Sequence, residues 1–270
     1  MITSDNDASN RLYEFVGQKD VNSILKNKGY NIRILHRLER PLKPDQNRHT
    51  EAVRFVSHDS LIYNQPMLVN EDSIKPPRRV FKGYAYMANG NQLIKKPFDF
   101  TYRNSNPLQD QQEILKSVLF PESINLRKRF DITEEDRKLV MKYMSQLPRE
   151  TKFPAYNKDR NYFDSYCKYF MFAESKKQIP DNIRIFNKVG QAYGFLIDNA
   201  YIVDFKNNVE FMLSAVISTN TDGVYNDSKY EEHKLGFPFL RNLGNAFYKY
   251  ELKRKKKYQP DLSHFKIKYD

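Results

Sequence analysis

Three β-strand candidates follow one another closely in the C-terminal part of the chain, and they limit the fold more than any other feature. Residues 183–189, 193–203 and 209–219 are rich in β-branched and aromatic side chains and are separated by short turns. A helix from about Phe239 to Lys253 is predicted after them. Strands that are consecutive and closely linked favour an antiparallel meander with a helix packed on one face.

Helices are predicted in the region before these strands. Residues 4–38 begin as a loop and continue as helical turns. A second helix is predicted from Gln111 to Leu119, before Pro121. A third begins after Thr133, whose hydroxyl can cap free backbone N–H groups, while the acidic residues that follow favour a helix N-terminus. The apolar positions that indicate the first and third helices are Leu12, Phe15, Val16, Ile24 and Leu25, and Leu139, Val140, Tyr143, Met144 and Leu147.

A strand-rich insertion is predicted at about residues 45–105, within this helical part. Its clearest feature is the Asn89-Gly90 pair, which lies between the apolar segments 80–86 and 92–94. Because this dipeptide readily adopts positive φ, it predicts a β-hairpin. We therefore expect an α+β chain in three parts. These are a helical subdomain with the insertion at 1–180, the antiparallel sheet and C-terminal helix at 181–257, and a tail at 258–270.

The composition is that of a folded protein. Of the 270 residues, 40% are hydrophobic and 14% are aromatic, which provides a sizeable core and excludes a disordered chain. No segment approaches the roughly 20 consecutive apolar residues of a membrane-spanning helix. The first residues, Met1 to Arg11, are polar and acidic, so we expect no secretory signal in this chain. Its location stays open, with the cytoplasm as the default.

Two features of the composition have both a functional and a structural interpretation. The net charge of +12 is partly concentrated in the basic run Lys253–Lys257, which could bind nucleic acid or an acidic surface. We favour a solvated end of the last helix, where the helix dipole attracts cations. The single Cys167 cannot form an internal disulfide, and its aromatic neighbours favour a small buried apolar side chain over a nucleophile.

Two short motifs contain residues suited to acyl-transfer chemistry. Ser4-Asp5-Asn6 directly precedes a helical segment, and Lys188-Val189-Gly190 lies on the first strand candidate. The Ser4 hydroxyl can donate and accept, and so can relay a proton. Lys188 is a compact cation suited to a carboxylate, and Gly190 leaves the strand edge free for a substrate. Each motif also has a simpler explanation, a helix cap for the first and an exposed strand lysine for the second.

Together these motifs resemble the active site of the β-lactamase and penicillin-binding-protein superfamily of serine hydrolases, most closely its class-A-like members. That family combines Ser-x-x-Lys, Ser-Asp-Asn and Lys-Thr-Gly motifs. Here the second and third occur in the family order, within residues 1–38 and about 180–250. The resemblance implies a transpeptidase-like α/β sandwich, with an antiparallel sheet packed by helices and a helical subdomain. It also implies that Asp5 holds its loop through backbone N–H groups.

The resemblance further implies the activity and the residues that carry it. The expected reaction is acyl transfer on β-lactams or on D-alanyl peptides of peptidoglycan. Ser4 and Lys188 are the implied catalytic residues, and the Asn6 amide binds a substrate carbonyl. Gly190 and Gln191 are implied substrate-binding residues, because the backbone N–H of Gln191 would be one donor of the oxyanion hole. No cofactor and no metal ion is implied.

The nucleophile is the main departure from the family pattern. In the family it precedes Ser-Asp-Asn, whereas here every Ser-x-x-Lys string follows Ser4. We therefore assign the nucleophile to none of them and expect a chain that lacks the N-terminal part of such an enzyme and is inactive alone. A complete parent protein would then be exported or periplasmic. The three strings are Ser23/Lys26, Ser165/Lys168 and Ser263/Lys266.

Two further departures concern turnover. Val189 replaces the usual Thr or Ser, which removes a hydroxyl that helps to hold the substrate carboxylate. Glu122 lies at the wrong spacing for the glutamate that primes a deacylating water, so that role is not carried over. A β-lactamase and a D-alanyl-D-alanine peptidase therefore both remain open, as do the deacylation base and the oligomeric state.

Other classes of function have weaker support. The five histidines are scattered without the spacing of a metal site, and the nine glycines form no phosphate-binding loop. The alternative we retain is a non-enzymatic basic protein that binds nucleic acid or a cell-wall polymer through its lysine-rich end, nucleic acid being the less favoured ligand. The histidines are His36, His49, His58, His233 and His264.

Overall fold

A computed structural model describes residues 1–72, 75–76, 78–90 and 92–269. Residues 73, 74, 77 and 91 of the predicted insertion and residue 270 of the predicted tail lie outside the described residues. The helices are α1 (Asn6–Val16), α2 (Gln18–Asn27), α3 (Leu108–Leu119), α4 (Glu134–Ser145) and α5 (Phe237–Lys253). The strands are β1 (Val53–Ser57), β2 (Ser60–Gln65), β3 (Phe81–Lys82), β4 (Ala85–Ala88), β5 (Gln92–Ile94), β6 (Phe98–Asp99), β7 (Ile183–Ala192), β8 (Phe195–Asp204), β9 (Val209–Ser218) and β10 (Val224–Tyr225).

The long strands form the predicted antiparallel meander, in the order β7-β8-β9. Ile183 pairs with Asp204, and Phe195 pairs with Ser218. The turn between β7 and β8 is tighter than expected, because β7 continues to Ala192. Tyr193 and Gly194 alone form the turn, both with positive φ (54° and 73°), as two-residue hairpins of twisted strands require. Mixed helices and antiparallel sheets support the α+β class.

Helices cover both faces of this sheet, and each face has its own apolar core. On one face, Ile185, Leu196 and Ile202 pack with Leu240 of α5. On the other face, Phe186, Tyr201 and Val203 pack with side chains of α3 and α4. Leu262 and Phe265, from the predicted tail, are also buried in this second core. The division into three domains stays a prediction.

The apolar positions of two helices were only partly predicted. In α1 and α2, Tyr13 and Leu25 are buried, whereas Leu12 and Ile24 are exposed. In α4, Met141 and Met144 are buried and Leu139 is exposed. The thin layer around α1 and α2 explains the first difference, since a helix that packs on one side only buries a narrow stripe.

The predicted insertion contains several small sheets rather than one. β4 and β5 form the predicted hairpin, with Ala88 opposite Gln92, and Asn89 and Gly90 at φ 49° and 83°. The segment before β4 does not extend this hairpin, because β3 pairs with β6 instead. β10, which follows the meander, pairs with β4 in parallel. This pairing connects the insertion to the end of the large sheet.

A loop at residues 163–175 lies between α5 and the sheet, and a glycine of α5 makes this contact close. A Cβ added at Gly244 would lie 2.5 Å from the backbone nitrogen of Met171 and 2.9 Å from Cβ of Phe170. Arg241 and Asn245 on the same side of α5 donate hydrogen bonds to the carbonyls of Ala173 and Met171. Backbone therefore packs directly on backbone at this position.

We predict that Gly244→Ala lowers the free energy of unfolding by about 1–3 kcal/mol, because an overpacked backbone contact must shift. This cost exceeds the gain of about 1 kcal/mol that alanine brings to a helix interior. Ala246→Gly on the exposed side of α5 measures that helix term alone. Urea unfolding of both variants checks the prediction. A stabilised Gly244→Ala protein would contradict the close contact.

Candidate active site

The Ser4-Asp5-Asn6 motif forms the entry to α1. Asp5 is the N-cap, and its Oδ1 accepts a hydrogen bond of 2.6 Å from the backbone N–H of Ala8. Asn6 is the first helical residue and is half-buried. Ser4 has a φ of 54°, in the left-handed region that non-glycine residues rarely adopt. Such backbone conformations carry a cost, and they concentrate at functional sites.

Lys188 meets this motif from the outer strand of the large sheet. Its Nζ donates a hydrogen bond of 2.5 Å to Ser4 Oγ and one of 2.7 Å to the carbonyl of Val189. The two residues are 184 positions apart in the chain. The fold therefore brings together the serine of the first motif and the lysine of the second.

The surroundings of the Lys188 ammonium group make it a proton donor and acceptor. The residue as a whole is exposed, but the atoms packed around its ammonium group desolvate the charge, and this lowers the pKa of Lys188. Asp198 and Cys167 oppose part of this shift. An amine with a lowered pKa beside a hydroxyl can exchange a proton with it, which is the requirement for a relay.

Gly190 and Gln191 follow Lys188 on β7. A Cβ added at Gly190 would lie 2.8 Å from Cγ2 of Ile197 on β8, so this glycine also has a packing reason. Gln191 is exposed, and its Nε2 donates a hydrogen bond of 2.6 Å to Glu232 Oε2. Glu232 begins a single π-helical turn, Glu232–Gly236, which directly precedes α5. The end of β7 is thus attached to the start of the last helix.

A buried polar network lies behind this part of β7. Lys168 Nζ donates hydrogen bonds of 2.6 Å to Asn187 Oδ1 and to the carbonyl of Met144. Asn187 Nδ2 in turn donates to Asp198 Oδ1 at 2.8 Å. Asp198 Oδ2 accepts the backbone N–H groups of Tyr169 and Phe170, at 3.0 and 3.1 Å.

Burial controls the electrostatics of this network. It raises the pKa of Asp198 and lowers the pKa of Lys168, because each charge has been removed from water. The hydrogen bonds from Asn187 and from the backbone N–H groups oppose the shift of Asp198. Our sequence reasoning missed this network. The signal was an aspartate within an apolar strand and a lysine between aromatic residues, both of which are rare inside proteins unless paired.

The Ser-x-x-Lys strings have other roles in the structure. Ser165 Oγ donates to the carbonyl of Ser175, while Lys168 binds Asn187 and Met144. Ser23 lies within α2, and Ser263 begins a short 3₁₀ turn in the tail. Cys167 is buried, and desolvation raises the pKa of its thiol, which disfavours a nucleophilic thiolate.

Two searches of the described part of the chain gave no further site. None of its groups of His, Cys, Asp and Glu is arranged to hold a metal ion. No helix among these residues is long and apolar enough to span a bilayer.

The fold and this site indicate an α+β protein in which a serine near a helix N-terminus binds a strand lysine. The comparison with known families agrees with this class. Residues 1–72 match the model of a family described as the beta-lactamase enzyme family. No curated protein and no solved structure matches the chain. The family match supports a β-lactamase-like family and, at that level, a hydrolase. It includes Ser4 but ends before Lys188.

We predict that Asp198→Ala destabilises the protein by about 3–5 kcal/mol, because it leaves buried donors and the Lys168 charge without their partner. Asp181→Ala is the control, since Asp181 makes an exposed ion pair with Arg149 that contributes at most about 1 kcal/mol. Denaturant unfolding measures both. Equal losses in the two variants would show that the buried network is not a main source of stability.

We predict that Ser4→Ala lowers the pKa of Lys188 further, by up to about one unit, because it removes a hydrogen bond that stabilises the charged amine. Side-chain NMR titration of labelled lysine measures this, and Lys188→Arg identifies the signal. Ser9→Ala, which removes only a hydroxyl bound to the Asp5 carbonyl, leaves the value unchanged. A rise of the pKa in Ser4→Ala would contradict the contact.

Proposed function

We propose that the chain carries the substrate-binding half of a serine hydrolase of the β-lactamase or D-alanyl-D-alanine peptidase type. Its reaction is acyl transfer on β-lactams or on peptidoglycan peptides. The observation that carries the proposal is the hydrogen bond between Lys188 Nζ and Ser4 Oγ. The family match at residues 1–72 supports it independently, because that match does not include Lys188.

Each proposed site residue has a role that its chemistry allows. Lys188 attracts the substrate carboxylate, and Ser4 passes a proton between amines during acyl transfer. The Asn6 amide holds a substrate carbonyl. Gly190 keeps the strand edge open, and the backbone N–H of Gln191 stabilises the oxyanion.

The proposal also specifies what the chain does not do by itself. Acyl transfer needs a serine activated by an adjacent amine, and no serine of the three Ser-x-x-Lys strings is assigned this role. Val189 is buried among apolar side chains of the α5 face, so no hydroxyl at this position helps Lys188 to hold the carboxylate. The isolated chain is therefore proposed to bind substrates without turning them over.

The alternative, a basic protein that binds an acidic polymer, is less well supported. Within the run Lys253–Lys257, Arg254 pairs with Glu251 and Lys256 binds the carbonyl of Asn208. These cations have partners within the protein, which leaves fewer of them for a polyanion. Steep salt dependence of polyanion binding would favour this alternative.

We expect the isolated chain to bind benzylpenicillin and an acetylated D-alanyl-D-alanine peptide reversibly. Lys188→Ala weakens this binding by about tenfold or more, because a charge-assisted hydrogen bond to the carboxylate is lost. Isothermal titration calorimetry or NMR titration measures the affinity. Lys206→Ala, at an exposed position of the β8–β9 turn, is the matched control and leaves binding unchanged.

Two results would contradict the proposal. Equal affinities of the Lys188→Ala variant and the unsubstituted protein, or no binding at all, would remove Lys188 from the site. Covalent labelling of the chain by a fluorescent penicillin, seen as a stable mass increase, would show that it contains a nucleophile of its own.

A further inference from the structure

One edge of the large sheet has no neighbouring strand. β9 pairs with β8 along its whole length, and on its other side it has no strand partner among the described residues. The exposed backbone groups of an edge strand are a template for another strand. Natural edge strands usually carry lysine or proline that prevents such pairing. β9 carries neither, and Glu210 is its only charged residue.

An apolar stripe on α5 lies beside this edge. Phe239, Leu243, Phe247 and Tyr250 fall within a sector of about 80° on the helix surface, at 100° per residue. Phe239, Phe247 and Tyr250 are 41%, 42% and 61% exposed, so large apolar area faces solvent here.

The position of the stripe follows from the contacts of the opposite flank of α5. Arg241 and Asn245 on that flank bind the loop at residues 163–175, and Lys168 of this loop binds Asn187 on β7. That flank therefore faces the β7 side of the sheet. Since the strand order is β7-β8-β9, the stripe faces the β9 side. The open edge and the apolar stripe form one continuous surface.

Charge selects the kind of partner that can bind there. The chain has a net charge of +12, so two copies repel each other over most of their surface. β9 has no cation, and Lys249 and Lys253 of α5 lie on the flank of the stripe that points away from the sheet. This surface is thus one where a second copy can approach without opposing positive charges.

We propose that this surface is a dimer interface between two copies of the chain. The β9 strands of the two copies pair antiparallel around a two-fold axis and make one six-stranded sheet. Such pairing satisfies backbone groups that no apolar surface could satisfy. The α5 stripes pack against each other beside it. A two-fold axis near the middle of β9 places the two Glu210 side chains at opposite ends of the pair, so they do not repel.

Sedimentation equilibrium of the full chain tests this proposal. We expect a concentration-dependent dimer for the unsubstituted protein. Val216→Lys, at an exposed position of β9, and Phe247→Glu, in the stripe, each weaken dimerisation by at least about tenfold, because they bury a charge at the interface. Leu126→Lys places a lysine at an exposed leucine of a 3₁₀ turn outside this surface and leaves the dimer intact.

The outcomes are distinct from those of the substrate-binding experiment. Circular dichroism and thermal unfolding of each variant confirm that it is folded. A monomer at all concentrations would overturn the proposal. A dimer that tolerates both Val216→Lys and Phe247→Glu would also overturn it, since the two copies would then meet elsewhere. Both binding of penicillin and its loss in Lys188→Ala are independent of these results.

Discussion

The carboxylate of Asp198 is the constraint on which the candidate site depends. It is fully buried, and it accepts two backbone N–H groups of the loop at residues 163–175 and the amide of Asn187. Lys168 extends this network to the end of α4 through the carbonyl of Met144. Burial of a charge is costly unless hydrogen bonds replace its water. Every member of this network therefore has to keep its place for the sheet to remain stable.

This network determines the register of β7, and the register determines where Lys188 points. Successive side chains of a strand face opposite sides of a sheet. Asn187 faces the buried network, so Lys188 faces the other side, where Ser4 lies. A shift of one residue along β8 would reverse this order and bring Lys188 inside. Because Val189 pairs with Asp198, the same strand is held on one face and is available for chemistry on the other.

The parts that were predictable from the sequence are those with strong local signals. The meander, the Asn89-Gly90 hairpin and the helix after Thr133 follow from β-branched strands, positive φ and a capping hydroxyl. The contact between Ser4 and Lys188 came from recognising two motifs, not from local propensity. The Lys168–Asp198 network was not predicted, because it depends on which residues of distant segments meet inside the protein. The exposure of Leu12 and Ile24 escaped prediction for the same reason.

Helix capping does not account for the whole Ser-Asp-Asn motif. Asp5 is the cap, so a structural role explains that residue fully. Ser4 lies one position earlier, contributes no capping bond, and has a backbone conformation that costs energy in a non-glycine residue. Its hydroxyl binds Lys188 instead. Gly190 shows the opposite case, because the close approach of Ile197 requires a glycine whether or not a substrate binds. The functional interpretation therefore depends on Ser4 and Lys188 more than on the glycine between strand and cleft.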